Sequence, residues 1–197
     1  MMQLRRIQEG TDARQEVLHA NEGHFWGLIE TRPYMRARFG LAITLRRLGR
    51  MDEADKHLRE LLRLNPNDNQ GVRYELISLL NEIGDTAAVD KLMAQYENDA
   101  SAEWQYTAAL NAFRKHGASK EADDLLAKAI AYNPHVPDYL LMRKIVPSEL
   151  PDYIQLGAES EAIHCVLDAL PFWGETPGAL EWLCKTVEKL PPTASGK

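Results

Sequence analysis

Residues 31–66, TRPYMRARFGLAITLRRLGRMDEADKHLRELLRLNP, decide the fold of this chain. Leu41, Ala42, Leu45 and Leu48 recur at helical spacing, Gly49 follows, and a second period runs through Ala54, Leu58, Leu61 and Leu62. That pattern predicts two amphipathic helices folded back as a hairpin. Gly49 supplies the left-handed backbone that ends the first helix, Asp52 and Glu53 sit at the exposed amides of the second, and Asn65-Pro66 closes it. At the front, Thr31 offers a side-chain acceptor and Pro33 a fixed backbone angle in the first turn.

Moving the frame by 68 residues brings the pattern back. Leu45 becomes Phe113, Gly49 becomes Gly117, Glu53-Ala54 becomes Glu121-Ala122, Leu58 becomes Leu126, and Asn65-Pro66 becomes Asn133-Pro134. A fainter middle copy runs through Leu76, Ile77, Leu80, Gly84, Val89, Met93 and Tyr96, one residue out of register. The spacing predicts hairpins at about 35–48 with 52–64, 70–82 with 86–97, and 102–115 with 119–132, the last pair capped by Ser101 and Ser119.

A repeat of 34 residues with a small residue early in the second helix and a closing proline resembles the tetratricopeptide repeat. The resemblance covers 31–137, with Leu41, Ala42, Leu45, Gly49, Ala54, Leu58 and Pro66 on signature positions of the first copy. Ala109, Leu110, Phe113, Gly117, Ala122, Leu126, Ala129 and Pro134 take them in the third; Arg38, Arg73 and Ser101 depart from the pattern. The strings GHFWGLIETRPYMRA, LNPNDNQGVRY and NPHVPDYLL also look like a tetratricopeptide group related to the suppressor of tumorigenicity proteins, from which no activity follows. The resemblance implies an all-α, right-handed solenoid of about three hairpins with a partial repeat before them and capping helices after. It also implies a non-catalytic scaffold that binds a protein segment in a concave groove lined by the first helices. The Lys/Asn clamp that some such domains use for chaperone tails is absent: Phe39, Ile43, Glu75, Trp104 and Ala108 stand in its place.

The flanks follow from this frame. Residues 1–30 read as N-terminal helices, with Asp12 to Ala20 helical and Phe25 to Glu30 resembling the second helix of a degenerate repeat. Repeats occupy 31–68, 69–100 and 101–137; 138–190 forms a cap with a brief helix at Tyr139 to Met142, an irregular crossing, and helices over Glu159 to Leu170 and from Thr176-Pro177 onward; 191–197 is a disordered tail. At 197 residues one domain is the natural count. The net charge of -6 argues against a surface adapted as a whole to nucleic acid or anionic lipid. No stretch approaches the roughly 20 apolar residues of a membrane span, and MMQLRRIQEG lacks the apolar run of a signal peptide, so a cytoplasmic protein with no membrane partner is expected.

Chemistry-bearing motifs are missing. Six scattered histidines and no HExxH, GxxxxGK[ST] or GxSxG give no support to an enzyme, a metal or a cofactor, and Cys165 and Cys184 read as small buried hydrophobes. The expected partner-binding groove comprises Arg36, Phe39, Ile43, Arg46 and Arg47 from the first repeat, Tyr74, Ser78 and Asn81 from the second, and Trp104, Thr107, Asn111, Arg114 and Lys115 from the third. Phe39 and Trp104 would be apolar anchors, and Arg46, Arg47 and Arg114 charge partners. Six arginines between Arg32 and Arg50 with no acidic residue among them would grip an acidic peptide, contact phosphate backbone, or pair internally. Self-assembly as a homodimer and a ligand-sensing subunit of an enzyme stand as the alternatives.

Overall fold

The computed structural model describes residues 22–190, and among them the chain is all-α: nine helices, two 3₁₀ turns and no strand. Its contacts divide it into two compact units, Met1–Leu79 and Leu80–Lys197. The expected helix over Asp12 to Ala20 and the tail 191–197 lie outside the described residues.

In the first unit, Phe25 to Glu30 is not a helix of a degenerate repeat but two 3₁₀ turns, Phe25–Gly27 and Ile29–Thr31. Gly27 ends the first turn and Leu28 is extended, at φ -93° and ψ 124°, so the two turns cannot join into one α-helix. Thr31 consequently does not cap in the expected way: its hydroxyl donates backward, to the carbonyls of Phe25 and of Leu28, the latter at 2.9 Å. Helix α1 (Arg32–Arg47) then buries Met35, Ala42 and Leu45. It packs on α2 (Met51–Leu64), which buries Ala54, Leu58, Leu61, Leu62 and Leu64. Between them Gly49, at φ 73°, lets its own amide reach Arg46 O and the Arg50 amide reach Leu45 O, each at 2.9 Å. These are the two bonds of a Schellman turn.

After α2, Asp68 sits buried in a left-handed conformation, φ 47°, and caps α3 (Val72–Ile83) from outside it. Its carboxylate accepts from the Val72 amide at 2.7 Å, and from the Arg73 amide and Nη1 at 2.9 Å each. The unit boundary falls inside α3. Gly84, φ 73°, closes α3 as Gly49 closes α1, with Asp85 N to Leu80 O at 3.0 Å.

The second unit continues with α4 (Thr86–Gln95), α5 (Ala102–His116), α6 (Lys120–Tyr132), the short α7 (Val136–Leu140), α8 (Glu159–Glu175) and α9 (Ala179–Lys189). Ser101 Oγ accepts the Trp104 amide and Ser119 Oγ the Ala122 amide, both at 3.3 Å, which are the expected caps. Helix α8 runs past the expected end at Leu170 with Pro171 inside it. The carbonyl that Pro171 cannot serve belongs to Leu167, on the exposed side where water can satisfy it. Helix α5 packs against α4, α6 and α8, and α9 against α6, α7 and α8, around Tyr106, Leu110, Leu126, Trp173, Trp182 and Leu183. Trp182 stacks with Phe113 at 4.5 Å and Trp173 at 6.0 Å between ring centroids, and its indole N–H donates to Asp123 at 2.7 Å.

One carboxylate ties α8 to the pair of α5 and α6. Glu161, on α8 and only 5% exposed, accepts from the Ala102 amide at 2.9 Å, Asn133 Nδ2 at 3.0 Å, the Gly157 amide at 2.7 Å and the Tyr132 hydroxyl at 3.4 Å. Asn133 extends the network, as its carbonyl accepts from buried Tyr106 at 2.8 Å. Because removing an acceptor strands several buried donors, Glu161→Ala should lower the free energy of unfolding by about 3 kcal/mol. Glu161→Gln should also destabilise, since its amide nitrogen must then face a donor; urea titration of both variants checks this.

Candidate protein-interaction face

Helix α1 presents its cations on one side. At about 100° per residue, Arg46, Phe39, Arg32, Ile43, Arg36 and Arg47 fall in that order across one stripe about 100° wide, next to the buried line of Met35 and Ala42. Phe39 and Ile43 are half-buried, whereas Arg36 and Arg47 are exposed. Trp26, in the first 3₁₀ turn, forms a platform at the N-terminal end of the stripe. The guanidinium carbons of Arg32 and Arg36 lie 5.3 and 5.9 Å from its ring centroid, and Arg32 Nε also donates to the Trp26 carbonyl at 3.0 Å.

The six arginines divide sharply by partner. Arg50 grips Glu53 with two bonds of 2.6 Å, Arg46 donates to Glu75 at 3.2 Å and Ser78 at 2.9 Å, and Arg38 meets the Tyr34 hydroxyl. For Arg32, Arg36 and Arg47 no carboxylate among the described residues lies within ion-pair distance. These three carry the unneutralised charge of the face.

The other expected groove residues are tied up inside their own units. Tyr74 is half-buried beneath Arg73, 4.3 Å from its ring centroid, and Ser78 is buried as the acceptor for Arg46. In the second unit Asn81, Trp104, Thr107 and Asn111 are all buried. Asn111 donates to the Thr86 carbonyl at 3.1 Å and to Asp90 at 2.7 Å, and Lys115 reaches the same carboxylate at 2.8 Å. Arg114 donates to Thr176 Oγ1 at 3.0 Å, Asn81 Oδ1 at 2.9 Å, Asn81 O at 3.3 Å and Phe172 O at 3.4 Å. The last two carbonyls belong to the final turns of α3 and α8, so a cation sits where helix dipoles favour it; burial pushes its pKa down. Trp104 packs edge-on to Tyr96 at 6.3 Å. Sequence reasoning missed Trp26, whose only signal is an aromatic placed six residues before Arg32 and ahead of α1.

Among the described residues no three His, Cys, Asp or Glu side chains converge as metal ligands, and no helix is long and apolar enough to cross a membrane. Cys165 is buried, and burial pushes its thiol pKa well up; Cys184 is half-buried beside Arg143 and Glu188 rather than in the core.

The ST7 protein family model matches residues 28–192. The chain belongs to the ST7 family. A suppressor of tumorigenicity 7 protein-like from Rattus norvegicus is 34% identical over 176 residues, covering 79% of this chain and 31% of the relative. Suppressor of tumorigenicity 7 proteins from Macaca fascicularis and Papio anubis show the same identity, with 32% and 29% of their lengths covered. This ST7-family chain therefore spans about a third of the curated relatives it matches. Their names are not those of enzymes, and no solved structure matches.

The helix pair that carries the cationic stripe has a built-in acid sensitivity. On α2, burial and then the Arg38 guanidinium hold His57 below the usual imidazole range, Glu53 opposing weakly. A folded pKa below the unfolded one means that the unfolded state takes the proton first. The contribution is complete above about pH 6.5 and is lost as pH falls toward the folded value. Wild-type Tm should drop between pH 7.5 and 5.5 by more than that of His57→Gln, measured by thermal melts in matched buffers.

Proposed function

We propose that the chain is a non-catalytic scaffold of the tetratricopeptide type in which the first helix of the leading hairpin holds an acidic segment of a partner protein. Each reading supports the other. The hairpin α1/α2 and the hairpin α5/α6 are antiparallel pairs with a small residue, Ala54 or Ala122, buried early in the second helix. In such repeats the first helix offers the binding side chains.

The observation that carries the reading is the stripe itself: Arg32, Arg36 and Arg47 without carboxylates among the described residues, interleaved with half-buried Phe39 and Ile43 and anchored on Trp26. Arginine recognises carboxylates with two parallel bonds, and an apolar strip between cations supplies area that solvated charge alone lacks. An acidic amphipathic segment meets both demands. Nucleic acid would answer the charge but not the acidity of the whole chain.

Affinity capture from a lysate of the source cell, with nuclease, tests this. A protein partner should survive nuclease, weaken as salt rises, and bind Arg36→Glu/Arg47→Glu at least ~10-fold more weakly. Arg46 is a poorer probe because its bonds to Glu75 and Ser78 make its reversal a folding defect as well. Capture of nucleic acid alone, or equal capture by the variant, overturns the reading.

Self-association is favoured by one separate feature. Between α7 and α8, Met142, Ile145, Tyr153, Ile154 and Leu156 are exposed, Ile145 by 91%. If copies pair through this stretch, wild type should sediment as a dimer and Ile145→Ser/Tyr153→Ser as a monomer.

A further inference from the structure

We propose that a recess between α4, α5 and α6 of the second unit seats a single basic side chain, lysine or arginine, of a partner protein. The recess measures about 160 Å³. At ~30 Å³ for each water it displaces, that is the room of one side chain and not of a folded ligand.

Its chemistry is graded from inside to outside. Buried Trp104 and half-buried Met93, Ala108 and Leu125 give an apolar wall suited to a methylene stem. Beyond them stand acceptors. Glu97 and Asp99 line the recess, and Glu97 makes no hydrogen bond or ion pair among the described residues. Gln105 Nε2 donates to the Ala100 carbonyl at 2.8 Å, which leaves its Oε1 buried with no donor. Glu97 and Asp99 are the groups of the lining that an ammonium or guanidinium would meet.

Lys128, exposed on α6, is the opposing charge in the same lining. Two carboxylates against one ammonium leave the recess net negative, so a cation is favoured and an anion is not. The presence of Lys128 also makes the proposal directional: removing it should strengthen binding, whereas removing Glu97 should weaken it. A purely hydrophobic recess would show neither response.

The probe is the peptide Ac-Gly-Lys-Gly-NH2, titrated into the full chain beside its norleucine and glutamate counterparts, with the Met93 methyl resonance as readout. Expected is a saturable shift with the lysine peptide, at least about threefold weaker binding of norleucine, and no shift with glutamate. Glu97→Gln should weaken the lysine peptide about threefold and Lys128→Gln tighten it by a similar factor. Ala108→Leu, which fills the recess, should abolish the shift; the two exposed substitutions keep the test valid if that variant folds poorly. Equal binding of norleucine, weakening by Lys128→Gln, or no Met93 response up to about 10 mM peptide overturns the proposal.

Discussion

A buried carboxylate with no cation beside it among the described residues holds the second unit in its arrangement. Glu161 receives donors from the start of α5, the end of α6 and the irregular stretch that leads into α8. Four donors can replace the hydration of a carboxylate, but only if all are delivered at once. The network therefore specifies the arrangement as well as stabilising it: a shift of α8 by one residue would remove Glu161 from the Ala102 amide and from Asn133 together. Asn133 follows α6, and Asn65, which follows α2, is likewise buried. What differs is the group supplied to each turn, Asp68 capping a helix in one case and Glu161 docking a helix in the other.

The hairpins were legible because their signals are local. Gly49 and Gly84 end their helices through the same pair of backbone bonds, and Ser101 and Ser119 cap theirs, each a consequence of three or four adjacent residues. The failures lie where a distant group or a short run decides. Phe25 to Glu30 has helical spacing, but Leu28 is extended between its two halves, so it forms 3₁₀ turns. Pro171 reads as a stop, yet α8 continues because the carbonyl it leaves unserved lies on the exposed side. The face was half legible. Residue type and helical phase put Arg36, Phe39, Ile43 and Arg47 on one side of α1, but no rule of spacing reveals that Asn111 and Lys115 converge on Asp90, or that Trp26, ahead of α1, carries Arg32 and Arg36.

The same residue type does opposite work in the two units, and the difference lies in the acceptors nearby. Arg114 lies where two helices end and their carbonyls point outward, so neutral oxygens hold it and burial follows. Arg36 and Arg47 lie mid-helix and near a helix end on α1, a helix without a single acidic side chain, and stay exposed. Arginines four apart on one helix repel. Placing Arg32 and Arg36 against one indole ring offsets part of that repulsion and limits the rotamers either can adopt.

Preorganisation of this kind bears on recognition more than on stability. A flexible arginine loses rotamer freedom when it grips a carboxylate, whereas one already held against Trp26 has lost part of it on folding. The cationic stripe thus combines guanidinium groups held against Trp26 at its N-terminal end with an exposed one, Arg47, at the other. On the proposed reading, such a face would fix the register of an incoming acidic segment at Trp26 and tolerate variation near Arg47. A partner segment should then be most constrained in sequence where it meets Arg32 and Arg36, and a Trp26→Ala change should loosen that register while leaving the net charge of the face intact.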